Sequence, residues 1–237
     1  MVDVDGLTKR TLATLLDSTF LKASGGAGKI EELCREAAEF SFASVAVNGC
    51  EVARCADLLR GTGVKVTAVA GFPLGQMSTA AKLFEVRDAI AAGAGEVDIV
   101  QNVRRLQAGD RDYVLAELAE FARICRGEGV VSKVIFENCY LSQDEKILSC
   151  RLACEAGVDF VKTSTGFGTC GATVEDVRTM RSEIGPDMGL KAAGGIRSFA
   201  DAMAMLRAGA TRIGTSAGRA IVEGYDGCNG EGCRLTR

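Results

Sequence analysis

Three stretches of the chain repeat one arrangement of polar and apolar positions. In "AAGAGEVDIV" (91–100), "CEAGVDFVK" (154–162) and "LRAGATRIG" (206–214), an Ala-Gly pair precedes a short polar step and then an apolar run. Glycine directly after a helix is the usual left-handed cap. The run after it reads as a strand, so each stretch predicts a helix-to-strand joint of the kind that recurs in βαβ units. The segments between carry helical periodicity. In "KIEELCREAAEF", Ile30, Leu33, Cys34, Ala37 and Ala38 fall at the i, i+3, i+4, i+7 and i+8 positions of one helix face. Similar stripes run through 112–126 (Val114, Leu118, Phe121, Ala122, Cys125), 174–184 and 199–208. Strands are expected at 14–19, 43–48, 64–70, 96–101, 131–137, 158–162, 189–193 and 211–214.

Eight strands alternating with helices in a chain of 237 residues predict an α/β protein, a single-domain (β/α)8 TIM barrel. Its expected extent is 1–226, including a short N-terminal helix, followed by a flexible Gly-rich tail over 227–237. A doubly wound open sheet is the rival. No G-x-G-x-x-G follows the first strand, which weakens a dinucleotide-binding version of it. No linker divides the chain, and the two prolines, Pro73 and Pro186, both fall in connectors.

Strand side chains alternate between two faces. In "VDFVK", Val158, Phe160 and Lys162 share one. In "SKVIFE", Lys133, Ile135 and Glu137 do, and in "LKAAGG", Lys191 and Ala193. Asp98 is out of phase with Val97 and Ile99, and Asp17 has a similar place in "LLDSTF". If these faces point inward, Asp17, Asp98, Lys133, Lys162 and Lys191 meet inside the barrel from five strands. Catalytic groups of such barrels lie at the C-terminal strand ends. A single strand lysine is ordinarily an edge or snorkelling residue, and an inward pair can be a structural ion pair. Three lysines and two aspartates at one barrel end are costly to bury for structure alone.

Composition narrows the chemistry. The chain has no histidine, which removes imidazole bases, Ser-His-Asp triads and histidine metal sites. A desolvated lysine beside another cation can be neutral at ordinary pH and attack a carbonyl, forming a Schiff base that accepts electrons from a breaking C–C bond. That is class I aldolase chemistry. The Lys191 charge, with partial burial, is expected to keep Lys162 neutral, and Asp98 is expected nearer Lys191 or a relay water than Lys162. Neither a metal nor an organic cofactor is expected. The net charge of −3 gives no case for nucleic acid or an anionic membrane surface. No apolar run reaches membrane-spanning length, and the acidic start "MVDVDGLTKR" lacks a signal core, so a cytoplasmic protein is expected. Of ten cysteines, Cys34, Cys125, Cys150 and Cys154 fall in helical apolar patterns and read as buried thiols. Cys228 and Cys233 in the tail lack the further ligands a zinc site needs.

Two glycine loops, "AAGG" (192–195) after the seventh strand and "GTSAG" (214–218) after the eighth, stand where such barrels often hold phosphate on backbone N–H groups. Plain tight turns would account for one such loop less surprisingly than for both.

Together, "DFVKTSTGFGTCGATVEDV", "KAAGGIRS", "RIGTSAG", "AGFPLG" and "EVDIV" resemble the deoxyribose-phosphate aldolase family, from about Leu15 to Gly224 and in the family's order. The resemblance implies reversible cleavage of 2-deoxy-D-ribose 5-phosphate to D-glyceraldehyde 3-phosphate and acetaldehyde. It implies Lys162 as Schiff-base lysine, with Lys191 and Asp98 as catalytic partners. It further implies substrate contacts from Asp17, Lys133, Thr163, Gly166, Gly194, Gly195, Gly214 and Ser216. A small phosphorylated sugar or aldehyde substrate and a homo-oligomer, dimer or tetramer, are implied as well. Ser18, Gln101, Asn138 and Ala217 depart from common family residues, and no terminal tyrosine matches. Another Schiff-base barrel aldolase or transaldolase, and a degenerate barrel acting as a binding protein, are the competing expectations.

Overall fold

The computed structural model describes residues 2–225, so the expected tail and its Cys228 and Cys233 lie outside the described residues. Eight strands, β1 (Leu16–Phe20), β2 (Ser44–Val47), β3 (Lys65–Ala70), β4 (Glu96–Val100), β5 (Val131–Ile135), β6 (Phe160–Lys162), β7 (Gly189–Ala193) and β8 (Arg212–Thr215), form a closed barrel in chain order. Every ladder is parallel, and β8 pairs back onto β1. The helices are α1 (Lys9–Ala13), α2 (Lys29–Phe40), α3 (Val52–Leu58), α4 (Thr79–Ala91), α5 (Val103–Gln107), α6 (Arg111–Gly127), α7 (Gln143–Ala156), α8 (Val174–Ile184), α9 (Phe199–Ala208) and α10 (Gly218–Glu223).

Local sequence explains the boundaries. Ser78, Ser142, Thr173 and Ser198 accept the N3 backbone N–H at the starts of α4, α7, α8 and α9, satisfying donors the helix itself cannot. The glycines of the repeated Ala-Gly joints, Gly93, Gly157 and Gly209, have φ of 104°, 71° and 115°, a region that would strain a side chain. The chain thus leaves each helix and enters the next strand in a few residues.

Alternation divides the buried side chains into two populations. Outward residues such as Val45, Val66, Val97, Ile99, Val134, Val161, Leu190 and Ile213 join the helix stripes in one apolar layer. The inward residues are largely polar, with Ala46, Val69, Val100, Ile135 and Ala193 buried among them but outside that layer. Val158 belongs to the outer layer rather than to the face of Lys162, because β6 begins only at Phe160. Cys34, Cys125 and Cys150 are buried as expected, whereas Cys154 is exposed, since α7 covers the barrel with Cys150, Leu152, Ala153 and Ala156 instead. No helix among the described residues is long and apolar enough to cross a membrane.

Candidate active site

Register sets the heights of the inward side chains. Asp98 stands opposite Lys133, while Lys162 stands opposite Ile135 on one side and Lys191 on the other. Lys133 therefore lies one inward layer below Lys162. The five charged residues expected to meet do so. Asp98 Oδ1 contacts Lys133 Nζ at 2.8 Å, and Asp98 Oδ2 contacts Lys162 Nζ at 2.8 Å and Lys191 Nζ at 2.9 Å. Lys191 also reaches Asp17 Oδ2 at 2.5 Å.

Two further residues complete the cluster. Glu96 Oε2 lies 2.5 Å from Lys133 Nζ and 3.3 Å from Arg212 Nη1, and Arg212 Nη1 lies 2.7 Å from Asp17 Oδ1. Neither was singled out from the sequence. The signal was present, because Glu96 is two residues before Asp98 on the same strand face. Arg212 likewise shares the inward phase of Gly214. Three carboxylates, Asp17, Glu96 and Asp98, thus face four basic groups, Lys133, Lys162, Lys191 and Arg212. The cluster has no net charge when one base is neutral, and a net charge buried this deeply is expensive.

Lys162 is the base most readily made neutral. Burial is the largest influence on its amine and lowers it; the Lys191 charge adds to the effect, and Asp98 opposes both, leaving it pushed down to about 8. Burial alone would also lower Lys191, but Asp17 and Asp98 outweigh it and hold the amine above its ordinary value. Burial would raise the Asp98 carboxyl, yet Lys133, Lys162 and Lys191 hold it well below the usual carboxylate range. Asp17 is likewise lowered against burial, chiefly by Lys191. Two expectations need correction. Desolvation, rather than the Lys191 charge, is the leading cause at Lys162. Asp98 is also as close to Lys162 as to Lys191, because one carboxylate oxygen bridges both amines.

Above the cluster opens a cavity of about 530 Å³. Lys162 is the only member of the cluster on its wall. Asp17, Asp98, Lys133 and Lys191 are fully buried beneath it. Asp17 and Lys133, expected to touch substrate, are therefore covered in this arrangement and ion-paired to their neighbours. Thr163 is also off the wall: its hydroxyl donates to the Ala193 carbonyl and accepts the Ala193 N–H, bracing β6 on β7.

The glycine expectations divide. Gly166, Gly194, Gly195, Gly214 and Ser216 all line the cavity. None of the described residues accepts a hydrogen bond from the N–H of Gly166, Gly194, Gly195 or Ser216, so these cavity-lining residues keep backbone donors free for an anion. Gly214 has an additional purpose. A Cβ there would lie 3.0 Å from Lys191 Cε and 3.0 Å from Ala193 Cβ, so the missing side chain makes room for Lys191. Of the departures from common family residues, Ser18 lines the cavity. Gln101 and Asn138 face away, bonding the Phe136 carbonyl and Met180 Sδ respectively. Ala217 sits at the entry to α10, its N–H donating to the Thr215 hydroxyl.

An inward lysine poised for neutrality, a carboxylate on its nitrogen and an anion-binding wall across one cavity suit covalent chemistry on a phosphorylated carbonyl compound. Comparisons agree with this geometry. The sequence model of the DeoC/LacD family aldolases matches residues 11–224. The chain is 55% identical over 222 residues to the deoxyribose-phosphate aldolase of Bacteroides thetaiotaomicron, covering 94% of this chain and 93% of that protein. It is 52% identical over 215 residues to that of Carboxydothermus hydrogenoformans, covering 90% and 94%. Among solved structures, the deoxyribose phosphate aldolase of Aeropyrum pernix, described as a unique tetramer, superposes with a TM-score of 0.85 at 34% identity, covering 91% of each chain.

Proposed function

The chain belongs to the DeoC/LacD family of aldolases, and from that premise we propose that it cleaves 2-deoxy-D-ribose 5-phosphate through a Schiff base on Lys162. The observation that carries the reading is the isolation of Lys162: it alone joins the buried ionic cluster to the cavity. At pH 7 an amine titrating near 8 is neutral in about a tenth of molecules, roughly two-hundredfold more than an exposed lysine.

The neutral amine attacks C1 of the open-chain aldehyde, and loss of water gives an iminium. Asp98, in contact with the same nitrogen, and Lys191, bonded to Asp98, are suited to move the protons of that dehydration. Removal of the C3 hydroxyl proton breaks the C2–C3 bond. Its electron pair enters the iminium to form an enamine, and C3 leaves as the aldehyde carbon of D-glyceraldehyde 3-phosphate. Protonation of the enamine at C2 and addition of water to the new iminium release acetaldehyde and return Lys162. The N–H groups of Gly166, Gly195 and Ser216 hold the 5-phosphate meanwhile, so that binding energy far from the reacting bond fixes its position.

The reading extends to a single catalytic domain over 1–226, supported by the one continuous apolar layer. It extends to a homo-oligomer by analogy with the Aeropyrum pernix tetramer. It extends also to the cytoplasm, where the free cysteines among the described residues would stay reduced. Acetaldehyde with borohydride tests the core of it. The expected product is inactive protein carrying an ethyl group on Lys162 by peptide mass mapping. Label on Lys133 or Lys191 alone would sink the assignment, and trapping by longer keto donors but not acetaldehyde would indicate a different aldolase.

A further inference from the structure

The turn after β5 holds a residue whose conformation its side chain does not explain. Glu137 has φ 57° and ψ 63°, left-handed backbone that an L side chain adopts only at a cost. It is also buried, at 3% exposure, and no Lys or Arg among the described residues lies within ion-pairing distance. A strained backbone and an acid without a counter-cation at one position point to a task nearby.

The carboxylate is directed at the loop that follows β6. Both oxygens accept the Thr165 N–H at 3.3 Å, and the Thr165 hydroxyl donates to Oε2. That hydroxyl in turn accepts the Phe167 N–H at 3.0 Å. The donors on either side of Gly166 are thereby taken, and the Gly166 N–H between them stays open on the cavity wall. The rest of the loop is seated from both ends. A Cβ at Gly168 would meet Glu137 Cδ at 3.0 Å and Cys139 Sγ at 2.5 Å. A Cβ at Gly171 would lie 2.2 Å from the Gly194 carbonyl oxygen, and the Ala172 N–H donates to the carbonyls of Ala193 and Gly194. One loop therefore joins Glu137 to the Gly194–Gly195 turn, the other part of the anion wall.

We infer that Glu137 is a positioning residue for phosphate: it holds the Thr165–Phe167 backbone so that the Gly166 N–H points to the anion. This deepens the aldolase reading and rests on it for the identity of the sugar phosphate, while the clamp itself concerns only the anion. An acid beside a phosphate site would by itself repel the ligand. The two roles therefore predict opposite signs. If Glu137 acts through the loop, removing its charge weakens phosphate binding; if it acts mainly through its field, removal tightens binding.

Two variants separate these cases. Glu137→Gln keeps the shape but turns an amide donor toward Thr165. Glu137→Gly removes the clamp and relieves the left-handed strain, so it folds even where the glutamine variant does not. Steady-state kinetics on 2-deoxy-D-ribose 5-phosphate and on 2-deoxy-D-ribose are compared, with calorimetric titration of inorganic phosphate into wild type and both variants. Each variant is expected to raise KM for the phosphorylated sugar and Kd for phosphate by about tenfold, the loss of one charge-assisted hydrogen bond. The kcat should change by less than about threefold, and kcat/KM on 2-deoxy-D-ribose should change equally little. Equal losses on both sugars, or unchanged or tighter phosphate binding, would overturn the clamp. A wild-type protein that turns over neither sugar would count against the aldolase reading instead, and the phosphate titrations would still decide for or against Glu137.

Discussion

Replacing Lys191 by methionine tests what pushes the Lys162 amine down. The change removes one buried cation and preserves the length of the side chain. Lys162 and Lys191 touch the same oxygen of Asp98, at 2.8 and 2.9 Å, so their nitrogens lie within about 6 Å of each other. At that distance two unit charges repel by about 3 kcal/mol for the effective dielectric constant near 20 that suits buried sites, equivalent to about two pK units. The loss also leaves Asp98 and Asp17 with one cation fewer, and both carboxylates then favour a charged Lys162. The amine should move from about 8 to about 10, and its neutral fraction at pH 7 should fall by about a hundredfold. The assay is the pH dependence of borohydride trapping with saturating acetaldehyde, read by intact-protein mass. Circular dichroism accompanies it, because removing one partner of a buried ion pair destabilises by about 3–5 kcal/mol. A trapping midpoint that stays in place or falls in folded variant protein would refute the reasoning and leave burial alone as the cause.

The same amine makes a prediction about stability. A lysine held at about 8 in the fold against about 10.4 unfolded binds fewer protons when folded, so its cost is full below pH 8 and disappears as the pH rises through the unfolded value. Lys162→Met should therefore abolish turnover yet stabilise the protein to urea by about 1–3 kcal/mol at pH 7; an equal gain above pH 10 would exclude this linkage. Two glycines of the cavity wall should fail differently. Gly195→Val, at φ 82°, should raise KM for the phosphorylated sugar much more than for 2-deoxy-D-ribose. Gly214→Ala pushes on Lys191 and should lower kcat on both sugars alike; a phosphate-selective loss there would return Gly214 to the anion site alone.

How much of this was legible in the sequence depended on periodicity. The Ala-Gly joints and the helix stripes announce eight strands, because a strand that leaves a glycine cap has few places to go. The alternation of strand faces brought Asp17, Asp98, Lys133, Lys162 and Lys191 inward, and it contained Glu96 as well. Height was harder. Which inward residue touches the cavity depends on register between strands, and the offset that sets Lys133 below Lys162 is a tertiary property. Glu137 was less accessible still, since left-handed backbone at a glutamate has no compositional signature. Cys154 misled because a stripe wide enough to include both it and Cys150 does not show where the helix turns to solvent.

The inward charges also bear on how the barrel is assembled. A strand displaced by one residue turns its inner face outward. In β4 that slip would set Glu96 and Asp98 among the apolar side chains beneath the helices and bring Val97 and Ile99 against Lys133. In β7 it would put Lys191 where Leu190 and Ala192 now pack. A barrel filled with valine and leucine would exchange one apolar contact for another in such an error, whereas here a misaligned strand loses several ionic partners at once. The ring is closed by β8, whose Arg212 reaches Asp17 of β1 at 2.7 Å, with Asp17 opposite Gly214 in the ladder. That contact forms only when the last strand meets the first in the correct alignment, so the inward charges also proofread the closure of the sheet.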